Sequence, residues 1–160
     1  IDENSRCAPA SLYGIAKNAL REATRLSATA HDALFQWIRA YYIVGDDKFG
    51  NSVFSKLLAA AEEGRDTFPF TTGKNKYDFI SVDELATQIA AIVDQDAVTG
   101  IINACTGRPM TLAERVEGYI ADNGLNIALD YGAFPDRPYD SPGVWGDATK
   151  IRAILAADRR

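Results

Sequence analysis

Two side chains in this 160-residue sequence combine type and spacing in a way that can move a proton: Tyr13 and Lys17, within Tyr13-Gly14-Ile15-Ala16-Lys17. Residues four apart in a helix lie one turn apart on the same face. An ammonium in that position favours the phenolate form of its neighbour. A tyrosine tuned this way can pass a proton to or from a substrate hydroxyl. Taken alone the pair is a weak signal, because seven tyrosines and six lysines give this spacing by chance in roughly one chain in four. The plain alternative is a helix-surface contact worth about a few tenths of a kcal/mol.

The elements that must position such a pair can be read along the chain. Residues 1–12 form a loop containing Pro9, and a helix fits about 13–33, with Ala16, Leu20, Ala23 and Ser27 along one face. The apolar run Ile38 to Val44 predicts a strand buried on both faces, as in a parallel sheet. A loop from Gly45 to Asn51 leads to a helix at about 52–63 that buries Phe54, Leu57, Leu58 and Ala61 and stops at Gly64. Residues 67–82 hold two extended stretches around a turn at Gly73 to Lys76. A helix at about 83–94 precedes a strand, Gly100 to Cys105. Thr111 caps a helix at about 112–122, with Glu114 placed to return the capping bond. A strand at 126–130, an ordered Pro- and Gly-rich loop at 132–146 and a helix at about 148–157 complete the chain. Strands alternate with helices, so the fold class is α/β.

Composition narrows the function. Apolar residues make up 47% and charged residues 24%, a globular balance. A net charge of −5 argues against a nucleic-acid partner, which needs a basic stripe. No apolar run approaches the roughly 20 residues that span a bilayer. The polar opening, Ile1 to Arg6, lacks a signal-peptide core. Cys7 and Cys105 read as free thiols in a reducing, cytoplasmic setting. No metal is expected. The cysteines match no ligand spacing, His31 is the only histidine, and Asp46-Asp47 lacks the rest of a calcium loop.

The surroundings of Tyr13 carry a resemblance. Pro9-Ala10-Ser11-Leu12-Tyr13-Gly14-Ile15-Ala16-Lys17 is similar to the active-site segment of extended short-chain dehydrogenases, where a Pro shortly precedes a Tyr-x-x-x-Lys helix. Ile38 to Gly45 is similar to that family's strand ending in a Tyr-Gly or Val-Gly turn. Tyr77-Asp78-Phe79-Ile80-Ser81-Val82-Asp83-Glu84-Leu85-Ala86 resembles its Arg-Asp-Phe-Ile-x-Val-x-Asp-Leu-Ala segment. Gly100 to Gly107 resembles its Gly-x-x-Asn-x-x-x-Gly strand. Arg137-Pro138 and Asp147-Ala148-Thr149-Lys150 match its closing signals. Five segments in the right order resemble the C-terminal half of an NAD-dependent epimerase/dehydratase that modifies nucleotide sugars.

The resemblance implies roles. Tyr13 is the catalytic acid/base, and Lys17 is its partner and ribose ligand. Tyr41, Tyr42 and Ile43 lie beside the nicotinamide of NAD or NADP, at a strand end where open α/β sheets bind ligands. Asn51 meets the substrate phosphates or sugar, Phe70 the nucleotide base, and Arg137 the pyrophosphate or ribose. From pattern alone, Tyr41, Tyr42 and Phe70 are more often core aromatics than ligand contacts, Asn51 is equally a helix cap, and Arg137 is a solvated loop residue. Tyr77 stands where the family has Arg, which moves a phosphate contact to Lys74 or Lys76 or removes it. Tyr42 stands where the family often has Asn. Both differences bear on which sugar is recognised.

The resemblance also sets the architecture expected: the C-terminal part of a Rossmann-like doubly wound domain plus a small α/β substrate-binding lobe. Residues 1–50 would end the dinucleotide-binding domain, and 51–160 would be mainly the lobe, with 78–105 returning to the large domain. No Gly-rich cofactor turn occurs in the sequence, so the chain is expected to be a fragment with little activity alone. The function expected of the parent is an NAD(P)-dependent epimerase/dehydratase or reductase acting on a nucleotide-activated sugar, with a homodimer through the Tyr-Lys helix. A non-catalytic nucleotide-sugar-binding or subunit-contact module stands beside it as the alternative.

Overall fold

The computed structural model describes residues 1–45, 50–136 and 141–158. In chain order the elements are α1 (Leu12–Ala30), β1 (Gln36–Ala40), β2 (Tyr42–Val44), α2 (Val53–Glu62), β3 (Thr67–Phe70), β4 (Lys76–Tyr77), β5 (Phe79–Ser81), α3 (Val82–Val93), β6 (Gly100–Ala104), β7 (Met110–Thr111), α4 (Leu112–Asp122), β8 (Ala128–Tyr131), β9 (Gly143–Val144) and α5 (Thr149–Asp158). The alternation is that of an α/β protein, as the sequence pattern requires. Two compact units form. One comprises Ile1–Ile43, Ile80–Gly107 and Gly146–Arg160; the other comprises Val44–Phe79 and Arg108–Trp145.

In the first unit, β1 and β6 pair in parallel, with Gln36 opposite Gly100 and Ala40 opposite Ala104. Period-two alternation sends Ile38 to one face, where it meets two small cores. One gathers Ala91, Ile92, Ile102, Cys105, Ala148, Ile151 and Ile154, and the other Ile80, Leu85 and Ala104. The other face carries Trp37 and Arg39, which line a cavity beside α1. This corrects the expectation of a single strand over 38–44 buried on both faces. The run is split at Tyr41 into β1 and β2, β1 is half-buried, and no residue of α1 is fully buried. Leu12, Ile15, Leu20 and Leu26 of α1 are exposed.

Two charged side chains hold α5 on this unit. Asp147 Oδ1 accepts from the Thr149 amide at 2.8 Å where the helix begins, and its bonds to Thr149 hold its carboxyl below the ordinary range. Lys150 Nζ donates to the carbonyls of Thr99 and Ile101 at 2.9 and 2.6 Å. The Asp-x-x-Lys signal is therefore a fastening between helix and strand.

The second unit packs Phe54, Leu57, Ala60, Phe70, Val116 and Ile127 into one core. Helix α2 buries Ser55 and Ala60 where the sequence pattern pointed to Leu58 and Ala61. The Ser55 hydroxyl is satisfied by Ser52 Oγ at 2.8 Å. The helix ends as expected at Gly64. Its φ of +74° lets the Gly64 and Arg65 amides reach back to Ala61 and Ala60, at 3.0 and 3.1 Å. Thr111 and Glu114 form the expected capping box on α4, and the paired bonds to Thr111 lower the Glu114 pKa.

The two extended stretches of 67–82 do not pair with each other. Strand β3 runs parallel to β8, whereas β4 lies between antiparallel β7 and parallel β9. Gly73, at φ +67°, turns the chain between them against Ala113 and Phe70, where a Cβ would come within 2.8 Å of another carbon. The two-residue strands β7 and β9 are too short to leave a period in the sequence.

Candidate active site

The loop that enters α1 is built to hold the first helical turn. Ser11 is the N-cap, its Oγ accepting from the Gly14 amide at 3.1 Å. Pro9 packs over Gly14 so closely that a Cβ at position 14 would stand 3.0 Å from the Pro9 Cβ. Tyr13 follows the cap by two residues, and Lys17 lies one turn on. The Lys17 ammonium sits 5.8 Å from the centroid of the Tyr13 ring, a cation–π separation. Tyr13 is 74% exposed and Lys17 is exposed. The two side chains share a face and are open to solvent. That arrangement leaves the phenol and the amine able to meet one incoming molecule together.

Beneath them is a cavity of about 350 Å³ lined by Lys17, Cys7, Arg21, Trp37 and Arg39 among others. Partial burial works against the charge of Arg21, but its bonds to Glu22 and Cys7 hold it firmly protonated, above its ordinary value. Arg25 and Arg21 in turn hold the Glu22 carboxyl below its usual range. The cavity wall thus carries Lys17, Arg21 and Arg39, and Glu22 is engaged by Arg21 and Arg25.

The remaining residues named from the sequence fall into three groups. Tyr42 and Ile43, 46% and 53% exposed, lie on β2. Tyr41 is packed against the core formed by Ile102, Cys105 and Ile151, its hydroxyl donating to the Ile1 carbonyl at 3.5 Å. This favours the packing role weighed for it over contact with a nicotinamide. In the second unit, Phe70 is 2% exposed and stacks edge-on against Tyr131 at 5.6 Å. Tyr77, 7% exposed, meets Phe79 in the same manner. Both are core aromatics with little surface left for a ligand.

Asn51 is exposed, and it is not the helix cap that the sequence allowed, because Ser52 takes that place through the Ser55 amide at 3.1 Å. Lys74 and Lys76 are exposed. Arg137 lies outside the described residues. His31 ends α1, its Nδ1 2.8 Å from the Ser27 carbonyl. Among the described residues no cluster of His, Cys, Asp or Glu could hold a metal, and no helix is long and apolar enough to cross a membrane.

Two polar residues without an assigned role turn out to be central to the first unit: Arg39 on β1 and Asn103 on β6. Asn103 is fully buried, and Arg39 is partly so. The signal in the sequence was a cation and an amide, each with apolar neighbours on both sides.

The model of the NAD dependent epimerase/dehydratase family matches residues 1–105. A dTDP-6-deoxy-L-talose 4-dehydrogenase (NAD(+)) from Aggregatibacter actinomycetemcomitans is 44% identical over 148 residues, 91% of this chain and 54% of that protein. Among solved structures, UDP-N-acetylglucosamine 4-epimerase from Methanobrevibacter ruminantium M1 superposes with a TM-score of 0.83 at 21% identity, over 96% of this chain and 50% of its own. RMD from Pseudomonas aeruginosa, complexed with NADPH, gives 0.80 at 13% identity, over 93% and 51%. At those identities the structures speak for the fold alone, which is the Rossmann-type fold expected. The chain spans about half the length of the relatives it matches. By sequence and by fold, the chain belongs to the NAD dependent epimerase/dehydratase family of extended short-chain dehydrogenases.

Proposed function

We propose that this chain carries the proton-transfer side of an NAD(P)-dependent reaction on a nucleotide-activated sugar, and that the reaction is oxidation or reduction at C4 of a deoxyhexose. The observation that carries the proposal is the exposed Tyr13–Lys17 pair on one face of α1. The 44% identity to a 4-dehydrogenase over 91% of the chain favours that chemistry over epimerisation or dehydration. In this reading the first unit completes the dinucleotide-binding domain and the second is the substrate lobe.

The cofactor, when bound, supplies hydride chemistry. Lys17 offers its ammonium to the ribose hydroxyls, and Tyr42 and Ile43 offer the exposed strand end beside the nicotinamide. Tyr13 Oη takes the proton from the sugar hydroxyl in the oxidising direction and returns it to the carbonyl oxygen in the reducing one. The packed Tyr41 holds that strand end in place. Asn51 and the exposed Lys74 and Lys76 are the groups of the second unit suited to the substrate's anionic part, and Arg137 remains a proposed pyrophosphate contact. The exposed leucines and isoleucine of α1 suit a homodimer through that helix.

The test uses the natural protein that contains this chain, mixed with NAD and a panel of dTDP- and UDP-activated sugars. Oxidation of a 6-deoxyhexose substrate, read as reduced nicotinamide in the near ultraviolet, is expected. Binding of these sugars with no nicotinamide reduction, and no epimerised or dehydrated product, would instead favour a non-catalytic binding module.

A further inference from the structure

The roles given so far use the helix that carries Tyr13 but not the polar residues that fix where it starts. Asn103, fully buried on β6, spends its whole amide on joining segments. Its backbone amide donates to Glu3 Oε1 at 3.1 Å, and its Nδ2 donates to the Ile1 carbonyl at 2.9 Å and the Asp147 carbonyl at 3.4 Å. Its Oδ1 accepts from Arg39 Nη1 at 3.4 Å. The same Nη1 donates to the Asp2 carbonyl at 3.1 Å. Arg39 Nη2 lies 3.8 Å from Cys7 Sγ, and Arg21 Nη1 reaches that sulfur from α1 at 3.3 Å.

These contacts form one continuous chain: β6, β1, loop residues 1–7, then α1 one turn beyond Lys17. A guanidinium suits the task, since its planar fork serves several acceptors at fixed angles. Between Cys7 and Tyr13 the backbone has little freedom left. Pro9 fixes one dihedral and packs on Gly14, and Ser11 caps the helix.

From this we infer that Arg39, backed by Asn103, is a positioning residue for Tyr13. It anchors the loop to the sheet so that the first turn of α1 presents the phenol at a set height. It does not itself touch substrate or cofactor. The inference rests on the catalytic role given to Tyr13 above.

The experiment compares Arg39→Met with the unaltered natural protein, each with and without Tyr13→Phe. Substrate KM, kcat and the pH profile of kcat are measured, and thermal unfolding is monitored for each variant. Because small misplacements of a reacting group are costly, Arg39→Met is expected to lower kcat about tenfold, leave KM within about twofold and displace the pH profile. With Tyr13 already Phe, the same change is expected to leave the residual rate within about twofold, since no phenol remains to be positioned. If Arg39→Met does not fold, Arg39→Lys, which keeps the charge and loses the fork, is read in the same way. An unmoved pH profile in a folded variant, or the same loss of rate in both backgrounds, overturns the inference while leaving Tyr13 in its role. Full turnover in Tyr13→Phe alone overturns the catalytic reading, and this inference with it.

Discussion

Replacing Gly146 by Ala puts one methyl group into close packing against Cys105 and Tyr41. The added Cβ would lie 2.6 Å from Cys105 Sγ, 2.8 Å from Tyr41 Cε2 and 2.9 Å from Cys105 Cβ. Comfortable separations between such atoms are roughly 3.5–4.0 Å, so each contact is about 1 Å too short. Cys105 is 1% exposed and follows β6 directly, and Tyr41 is packed against the same core. Neither neighbour is the free end of a flexible side chain. Overpacking of this kind costs about 1–3 kcal/mol, and the loss of glycine entropy in the unfolded chain returns about 0.4–1 kcal/mol. The net expectation is a destabilisation of about 2 kcal/mol, at the upper part of that range once the offset is taken. Urea denaturation of the natural protein and of Gly146→Ala measures it. Cys105→Ala in the Gly146→Ala background removes the nearest atom and should recover part of the loss, a coupling between the two sites. An unchanged midpoint for Gly146→Ala, or strictly additive effects of the two changes, refutes the steric reasoning and with it the packing role of Tyr41.

Other expectations concern the second unit. Thr111→Ala removes the N-cap of α4 and should cost about 1 kcal/mol in the same assay. Glu114, held below its ordinary pKa by Thr111, contributes stability above its unfolded pKa and loses it as pH falls through the folded one. Glu114→Gln should therefore be less stable than the unaltered protein near neutrality, with the difference vanishing in acid. Tyr131 is pushed up to about 12 by burial and by its bond to Glu117 at 2.5 Å. Its stabilising contribution is complete below the unfolded value of roughly 10 and is lost as pH rises through the folded one. A near-ultraviolet alkaline titration of Tyr131→Phe should lack a phenol that ionises at about pH 12, and an unchanged titration there would contradict this.

What was legible in the sequence were features with a local cause. Helix α1 starts at Leu12, one residue before the expected position, and the stop of α2 at Gly64 and the Thr111–Glu114 box each depend on a few adjacent residues and appear where expected. So does the spacing that sets Lys17 over Tyr13. Features decided by distant neighbours were less legible. Nothing local distinguishes Phe70 as a base contact from Phe70 as a core residue, and its burial comes from α2 and α4 packing around it. The strand predicted over Ile38–Val44 is interrupted because Tyr41 is drawn into the core beside Cys105. Arg39 and Asn103 gain meaning only when residues 1–7 fold back onto them, contacts 32 to 102 positions apart in sequence.

Substituting Phe for Tyr13 in the natural protein tests the central claim most directly. The side chain is 74% exposed, so loss of its hydroxyl leaves packing untouched. Positioned acid–base groups contribute about 10²–10⁴-fold to rate, so turnover should fall by at least about a hundredfold, while the unfolding midpoint and nucleotide-sugar affinity stay as they were. Turnover equal to that of the unaltered protein would contradict the account.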